Sequence, residues 1–388
     1  MEISAETANR FILEKSHLTE NAKTDNIVQI MEDLLGLHAT NNTTPYISLF
    51  CRGRSFTVQQ LHEIFYESKN IAKIRCIRGT VFFQYQSQIP SFHMATLDSR
   101  EKQNQKRLVH FKITKEILIE YQEKILTLLK NNPLTTKEIR AKLHPVVDLS
   151  SILYILSDRG LIVRSKPRKN WLDRMNTYEL FKEAVPNIKI DSISTNDAIQ
   201  DLIFKYVAKY GPVCEQDIVW WTGFNKTTVR NAMKHIEDRV TTIYITPYNL
   251  DFYVLKSELD LLKDLQPLHE SVISILPCLD PYIMGYKFRD RYIEELGKDY
   301  IFDRSGNATN VITLNGKTTG IWDWEVKEPS VKYFIFGGLT TNQRELVHSE
   351  MEKTGKFLFD SPFDILEKKS MESLTNRTAG WVLKPLRD

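Results

Sequence analysis

The chain has 388 residues, 42% of them hydrophobic and 26% charged, a balance that supports buried cores and excludes disorder over any long span. At ~150 residues per domain, this length calls for two or three units. A formal charge of +3 is too mild to announce a polyanionic partner, so the placement of the charges has to decide. There is no apolar run of membrane-spanning length, and the start MEISAETANR lacks the basic-then-apolar profile of a signal peptide, so a cytosolic protein is expected. Cys51, Cys76, Cys214 and Cys278 are far apart and form no CxxC pair, which argues for reduced core thiols and against a structural zinc or a disulfide framework.

Residues 1–115 open with SAETANRFILEKSHL, where Ser4 can cap a helix and Phe11, Ile12 and Leu18 supply apolar contacts. NIVQIMEDLLGL follows with Ile27, Ile30, Met31, Leu34 and Leu35 at helical spacing. Gly36 stands where that helix should stop, and NNTT supplies turn residues before a Thr44 cap and Pro45 start the next one. The polar triplet His38-Ala39-Thr40 therefore falls in a connection. Residues two apart share a face on extended backbone but not on a helix, so His38 and Thr40 can face one site there. An imidazole accepts or donates a proton near neutrality and a threonine hydroxyl does both, so the pair can hold and polarise one water. Satisfying backbone groups at the helix end is the plainer role for both.

TVQQLHEIFYES reads as a helix capped by Thr57, and IAKIRCIRGTVFFQYQ as a hairpin turning at Arg78-Gly79-Thr80. Helices followed by a two-stranded ribbon make a first, loose winged-helix pattern over residues 1–115. The pattern recurs over 116–190 in EILIEYQEKILTLLKNN, TTKEIRAKL with its Thr135 or Thr136 cap, LSSILYILSDRG and LIVRS. It appears again over 191–256, where Asn225 can cap a recognition helix with Lys226 and Arg230 on its first turns, ahead of strands TTIYIT and DFYVLK. Trp220 and Trp221 belong to the core of that third unit. Residues 257–388 change character: VISILPCLDPYIMGY, DYIFDRSGN, NVITLNGKTTGIWDWEV and VKYFIFGG read as short strands, with Asn315-Gly316 as the clearest hairpin turn, before one helix in TTNQRELVHSEMEKTGKFL. The expected fold class is α+β: three tandem winged helices and a small C-terminal β-barrel or sheet with one helix, packed as one rigid body.

Candidate phosphate contacts are Arg52, Arg54, Arg78 on the hairpin tip, Lys106, Arg107, Lys166, Arg168, Lys169, Lys226, Arg230, Lys287, Arg289 and Arg291. Spread over all the modules, they suit a channel lining a duplex.

In GLHATNNTTPYISLFCR, IRGTVFF, YGPVCEQDIVWWTGF, ILPCLDPYIMGYKFRDRY and FDRSGNATNVITLNGKTTGIW, the chain resembles the winged-helix DNA-binding proteins related to the AlkZ and YcaQ interstrand-crosslink DNA glycosylases. The resemblance spans residues 36 to 322. It implies a C-shaped body around double-stranded DNA, a monomer in the bacterial cytosol or nucleoid, and hydrolysis of N7-alkylated or crosslinked purines with no cofactor, metal or membrane partner. In that family a Gln-aliphatic-Gln or Gln-aliphatic-Asp motif holds the attacking water, and it aligns with His38-Ala39-Thr40. By that alignment His38 takes the first position as a water acceptor, and Thr40, shorter than glutamine, takes the second. Asp280 in CLDPY and Asp303 in FDRSG are candidates to stabilise positive charge on the sugar, or simply to cap turns. The competing readings are a non-catalytic DNA-binding protein, a regulator or lesion-binding shield that has lost the Gln pair, and a protein-interaction module.

Overall fold

The computed structural model describes residues 1–370 apart from 168 and 174, together with 373 and 374. It is a mixed α+β structure, and the strands form three sheets.

Residues 115–180 run helix, strand, helix, helix, strand, strand: Lys115–Leu129, Leu134–Thr135, Thr136–Leu143, Leu149–Asp158, Ile162–Pro167 and Asn176–Leu180. Each helix starts at a side chain that accepts from its first turn. Thr114 accepts from the Ile117 N–H, Thr135 and Glu138 cap reciprocally, and Asp148 accepts from the Ser151 N–H. Their apolar sides, with Ile125, Leu129, Ile139, Ile152 and Ile155, enclose one core.

The strands of this group do not form a sheet of their own. Lys73 lies opposite Arg164, which joins Ile162–Pro167 to the hairpin Ile71–Arg75 and Val81–Tyr85, and Leu37–His38 completes the far edge. The resulting six-stranded sheet crosses the boundary expected at residue 115 and brings the His38 segment onto the same scaffold as residues 134–180.

Residues 195–255 form the helices Thr195–Tyr210, Glu215–Thr222 and Lys226–Lys234 and the hairpin Val240–Thr246 with Phe252–Leu255. Asn225 caps the third helix through the Thr228 N–H at 2.9 Å, as its position suggested. The third strand of this sheet comes from the chain start: Glu2–Ser4 lies parallel to Tyr244–Thr246.

The longest helix, Ile89–His110, has no apolar stripe for the sequence to reveal, because its buried side includes His93, Thr96, Arg100 and Asn104. Arg100 serves as the internal partner there, donating from Nε to Thr96 Oγ1 at 3.2 Å and from Nη2 to the His93 carbonyl at 2.8 Å.

The C-terminal sheet is open, which corrects the expectation of a barrel. Ile273–Leu276, Val311–Leu314, Lys317–Glu325 and Ser330–Ile335 run antiparallel, and Asp364–Glu367 adds in parallel after the helix Thr341–Leu358. Val347, Met351 and Leu358 of that helix pack with Ile275, Ile312 and Trp322, so the apolar face is covered without closure. The turn at Asn315 and Gly316 has φ of 48° and 79°, as an Asn-Gly hairpin requires. DYIFDRSGN is not a strand: Lys298–Ile301 is a helical turn, and only Phe302 and Ala308 pair across the loop that follows. One apolar cluster runs from Ile12 through Phe92, Tyr206 and Trp221 to Ile283 and Ile321, so the groups are packed together.

Candidate nucleic-acid interface and active-site segment

The helix Ile27–Asp33 ends through Leu35 and Gly36, at φ 54° and 93°. A Cβ at Gly36 would lie 2.4 Å from Gln84 Nε2, whose amide donates to the Leu35 carbonyl at 3.0 Å, so both the backbone sign and the space demand glycine. Leu37–His38 then pairs with Phe82 and Phe83, and the Ala39 N–H donates to the Val81 carbonyl at 2.8 Å. Leu37 and Ala39 are fully buried, and His38 and Thr40 alternate with them. The restart of the helix differs from expectation. Asn41 Oδ1 accepts from the Thr43 N–H and hydroxyl, whereas Thr44 sends its hydroxyl to the Cys278 carbonyl at 3.0 Å.

His38 is 7% exposed, with its ring 5.1 Å from that of Phe82. Burial, reinforced by the nearby Arg78 charge, pushes its pKa down to about 3, so the imidazole is neutral at physiological pH. The Thr40 N–H points at Nδ1 from 3.5 Å, which places the ring proton on Nε2. In that tautomer the ring's remaining hydrogen-bond donor is Nε2–H.

Cations flank the segment on two sides. Arg78, at φ 50° on the hairpin tip, lies 4.0 Å from the Trp220 ring, and Arg289 lies 5.1 Å from the same ring and 3.7 Å from Phe302. Burial and the charge of Arg289 lower the Arg78 pKa to about 10. Trp221 is buried as expected, but Trp220 is half-buried and serves as the platform for these two guanidiniums. On the other side Thr40 lines a cleft of about 470 Å³ together with Lys137, Arg140, Arg164, Asn176 and Tyr178. None of these three cations was a candidate in the sequence. The signal was Lys137 and Arg140 three apart in TTKEIRAKL, but only the fold brings Arg164 to face them. Beneath, the buried Lys73 donates to Asn42 Oδ1, the Ser165 carbonyl and Asn176 Oδ1, tying the segment that follows His38 to the strands behind the cleft. Burial lowers its pKa to about 7.

The other expected contacts divide by environment. Arg54, Lys106, Lys169, Lys226 and Lys287 are exposed. Lys166 sits over the Tyr66 ring and Arg107 over that of Tyr154. Arg230 is exposed and makes a two-pronged pair with Glu215. Arg168 lies outside the described residues.

Four assignments are corrected by burial. Arg52 is fully enclosed and grips Asp280 with Nη1 at 2.9 Å and Nη2 at 2.7 Å, so it cannot reach a phosphate. Asp280 is equally enclosed, also accepts from Ser48 Oγ and the Tyr282 N–H, and so is not available to a sugar cation. Arg291 is 3% exposed and packs over Tyr286 at 4.1 Å. Asp303 accepts from the backbone N–H groups of Ser305 and Asn307 and from the Asn307 amide, and it closes a turn.

Among the described residues, no three or more His, Cys, Asp or Glu are arranged to hold a metal ion, and no helix is long and apolar enough to cross a membrane. An edge-strand segment thus lies between cations that have no carboxylate partner among the described residues. The sequence profile of the family described as DNA glycosylase AlkZ-like matches residues 31–357, and the chain belongs to that family. The solved structure of Streptomyces sahachiroi DNA glycosylase AlkZ has the same fold, with a TM-score of 0.76 at 17% identity over 95% of this chain and 100% of that one. No protein of curated function matches the chain in sequence.

Proposed function

We propose that this protein is a monofunctional DNA glycosylase that hydrolyses the N-glycosidic bond of N7-alkylated or crosslinked purines in double-stranded DNA. The observation that carries this reading is the His38–Thr40 segment: a buried neutral imidazole and a hydroxyl two residues on, at the meeting of two groups of cations. Water is held between the His38 Nε2–H, which donates to its oxygen, and Thr40 Oγ1, which accepts from it. The second lone pair of the water is left for C1′; as the C1′–O bond forms and the C1′–N9 bond breaks, the proton that the water loses passes to solvent past Thr40. An N7-alkylated purine already carries positive charge, so it departs as a neutral base without needing a general acid. With Asp280 and Asp303 engaged elsewhere, the substrate's own phosphates balance the charge that develops on the sugar.

In this reading, residues 1–115, 116–190 and 191–256 act as three winged-helix units, the first two joined through one sheet, and the sheet that follows residue 256 supports them. Arg54, Lys106, Arg107, Lys166, Lys169, Lys226, Lys287 and the Arg78–Arg289 pair meet the backbone of a duplex held by a C-shaped monomer in the cytosol or nucleoid. The test is a gel assay on duplexes carrying one N7-methylguanine or one purine crosslink. Abasic, alkali-labile product is expected from both. Salt-dependent binding without product from either would instead establish a lesion-binding protein.

A further inference from the structure

We propose that the cleft beside Thr40 is a subsite for one backbone phosphodiester adjoining the damaged nucleotide, held by Lys137, Arg140 and Arg164. The inference rests on the DNA-processing reading above and adds to it a specific anchor that fixes the strand against the catalytic segment.

Three features point to an anion of this kind. First, the cations converge from two elements: Lys137 and Arg140 stand three apart on the helix Thr136–Leu143, and Arg164 stands on the strand Ile162–Pro167. Second, the cleft has no carboxylate in its lining, and none of the three cations has an ion-pair partner among the described residues. Glu138, next to Lys137 in sequence, is turned back into the cap of its own helix, accepting from the Thr135 N–H at 2.8 Å and hydroxyl at 2.7 Å. Three like charges around one concavity repel each other until an anion enters.

The third feature is the neutral donor set. Lys73 Nζ occupies Asn176 Oδ1 at 2.9 Å, so the amide group that Asn176 has left for the cleft is its NH2, a donor. Guanidinium forks, an ammonium and an amide NH2 together match the oxygens of a phosphodiester. Thr40 lines the same cleft, so a phosphate seated there lies beside the residue that holds the water, and the strand is held in register with the reacting sugar.

The experiment uses the full chain and a fluorescein-labelled duplex with a central tetrahydrofuran abasic analogue, titrated from about 50 to 200 mM salt. The Arg140→Ala/Arg164→Ala variant should bind with a log–log salt slope shallower by about 0.9, one phosphate's share. Lys137→Gln, at an exposed position where folding is not at stake, should shift the slope the same way by a smaller amount. A single neutral methylphosphonate at one of the phosphates flanking the lesion should weaken the wild type about tenfold and leave the double variant unchanged.

An unchanged slope in both variants, or methylphosphonate effects equal in wild type and variant at every position, overturns the subsite. Base release by the wild type, assayed on the same preparations, keeps the two readings apart. Release with unchanged slopes removes only the subsite, whereas a wild type that neither binds the duplex nor releases base removes both.

Discussion

Two arginine-bearing regions flank the segment from Gly36 to Arg54, and they are built in opposite ways. At one end Arg52 is enclosed, meets Asp280 through two hydrogen bonds, and donates further to the Ser16 and Ser48 carbonyls. At the other end Arg140 and Arg164 face a cleft with Lys137 and without a carboxylate. The first arrangement joins the helix Thr44–Phe50 to the loop ahead of Pro281–Met284 and serves the fold. The second leaves its cations without a carboxylate partner among the described residues. Arg78 and Arg289 lie between these extremes, steadied by Trp220 but not neutralised. A cation's role is thus set by whether a carboxylate reaches it.

The largest effect belongs to the buried pair. Replacing Arg52 or Asp280 alone by alanine strands the partner's charge in the interior, and a loss of about 3–5 kcal/mol of stability is expected from urea unfolding. Replacing both with apolar residues should cost much less, because no charge is left uncompensated. A single variant that unfolds at the wild-type urea concentration would show that the pair does not join the two regions.

A smaller effect separates His38 from an ordinary surface histidine. His38 and His93 both have pKa values pushed down to about 3, mainly by burial, so the unfolded chain takes up their protons first as pH falls. Their contribution is complete above the unfolded value of ~6.5 and is lost from there toward pH 3, by at most roughly 1.4 kcal/mol per pH unit for each group. Urea unfolding between pH 7 and pH 5 should show this slope, and His38→Gln should remove His38's share of it. A variant with the wild-type slope would place His38 in water instead.

Much of this architecture was legible because its signals are local. The turns at Arg78-Gly79 and Asn315-Gly316, the caps at Thr57, Thr135 and Asn225, and the final helix depend on residues within a few positions of each other. What stayed hidden depends on remote partners. Arg52 looked like any basic residue in CRGR until Asp280, 228 positions away, closed on it. The polar buried side of Ile89–His110 erased the apolar period by which a helix is read. Glu2–Ser4 became a strand only against Tyr244–Thr246. The position of the His38 segment was readable from Gly36 and Pro45, but its burial against the Phe82 ring of the neighbouring strand was not.

The central claim is that His38 and Thr40 together place the attacking water. Single-turnover release of N7-methylguanine by wild type and by His38→Ala/Thr40→Ala, each shown by circular dichroism to be folded, measures it most directly. The account predicts a loss of about 100-fold or more in the double variant. It also predicts that His38→Gln leaves the shape of the pH–rate profile between pH 5 and 8 unchanged, since His38 is neutral throughout that range. A double variant that releases the base at the wild-type rate would contradict the assignment.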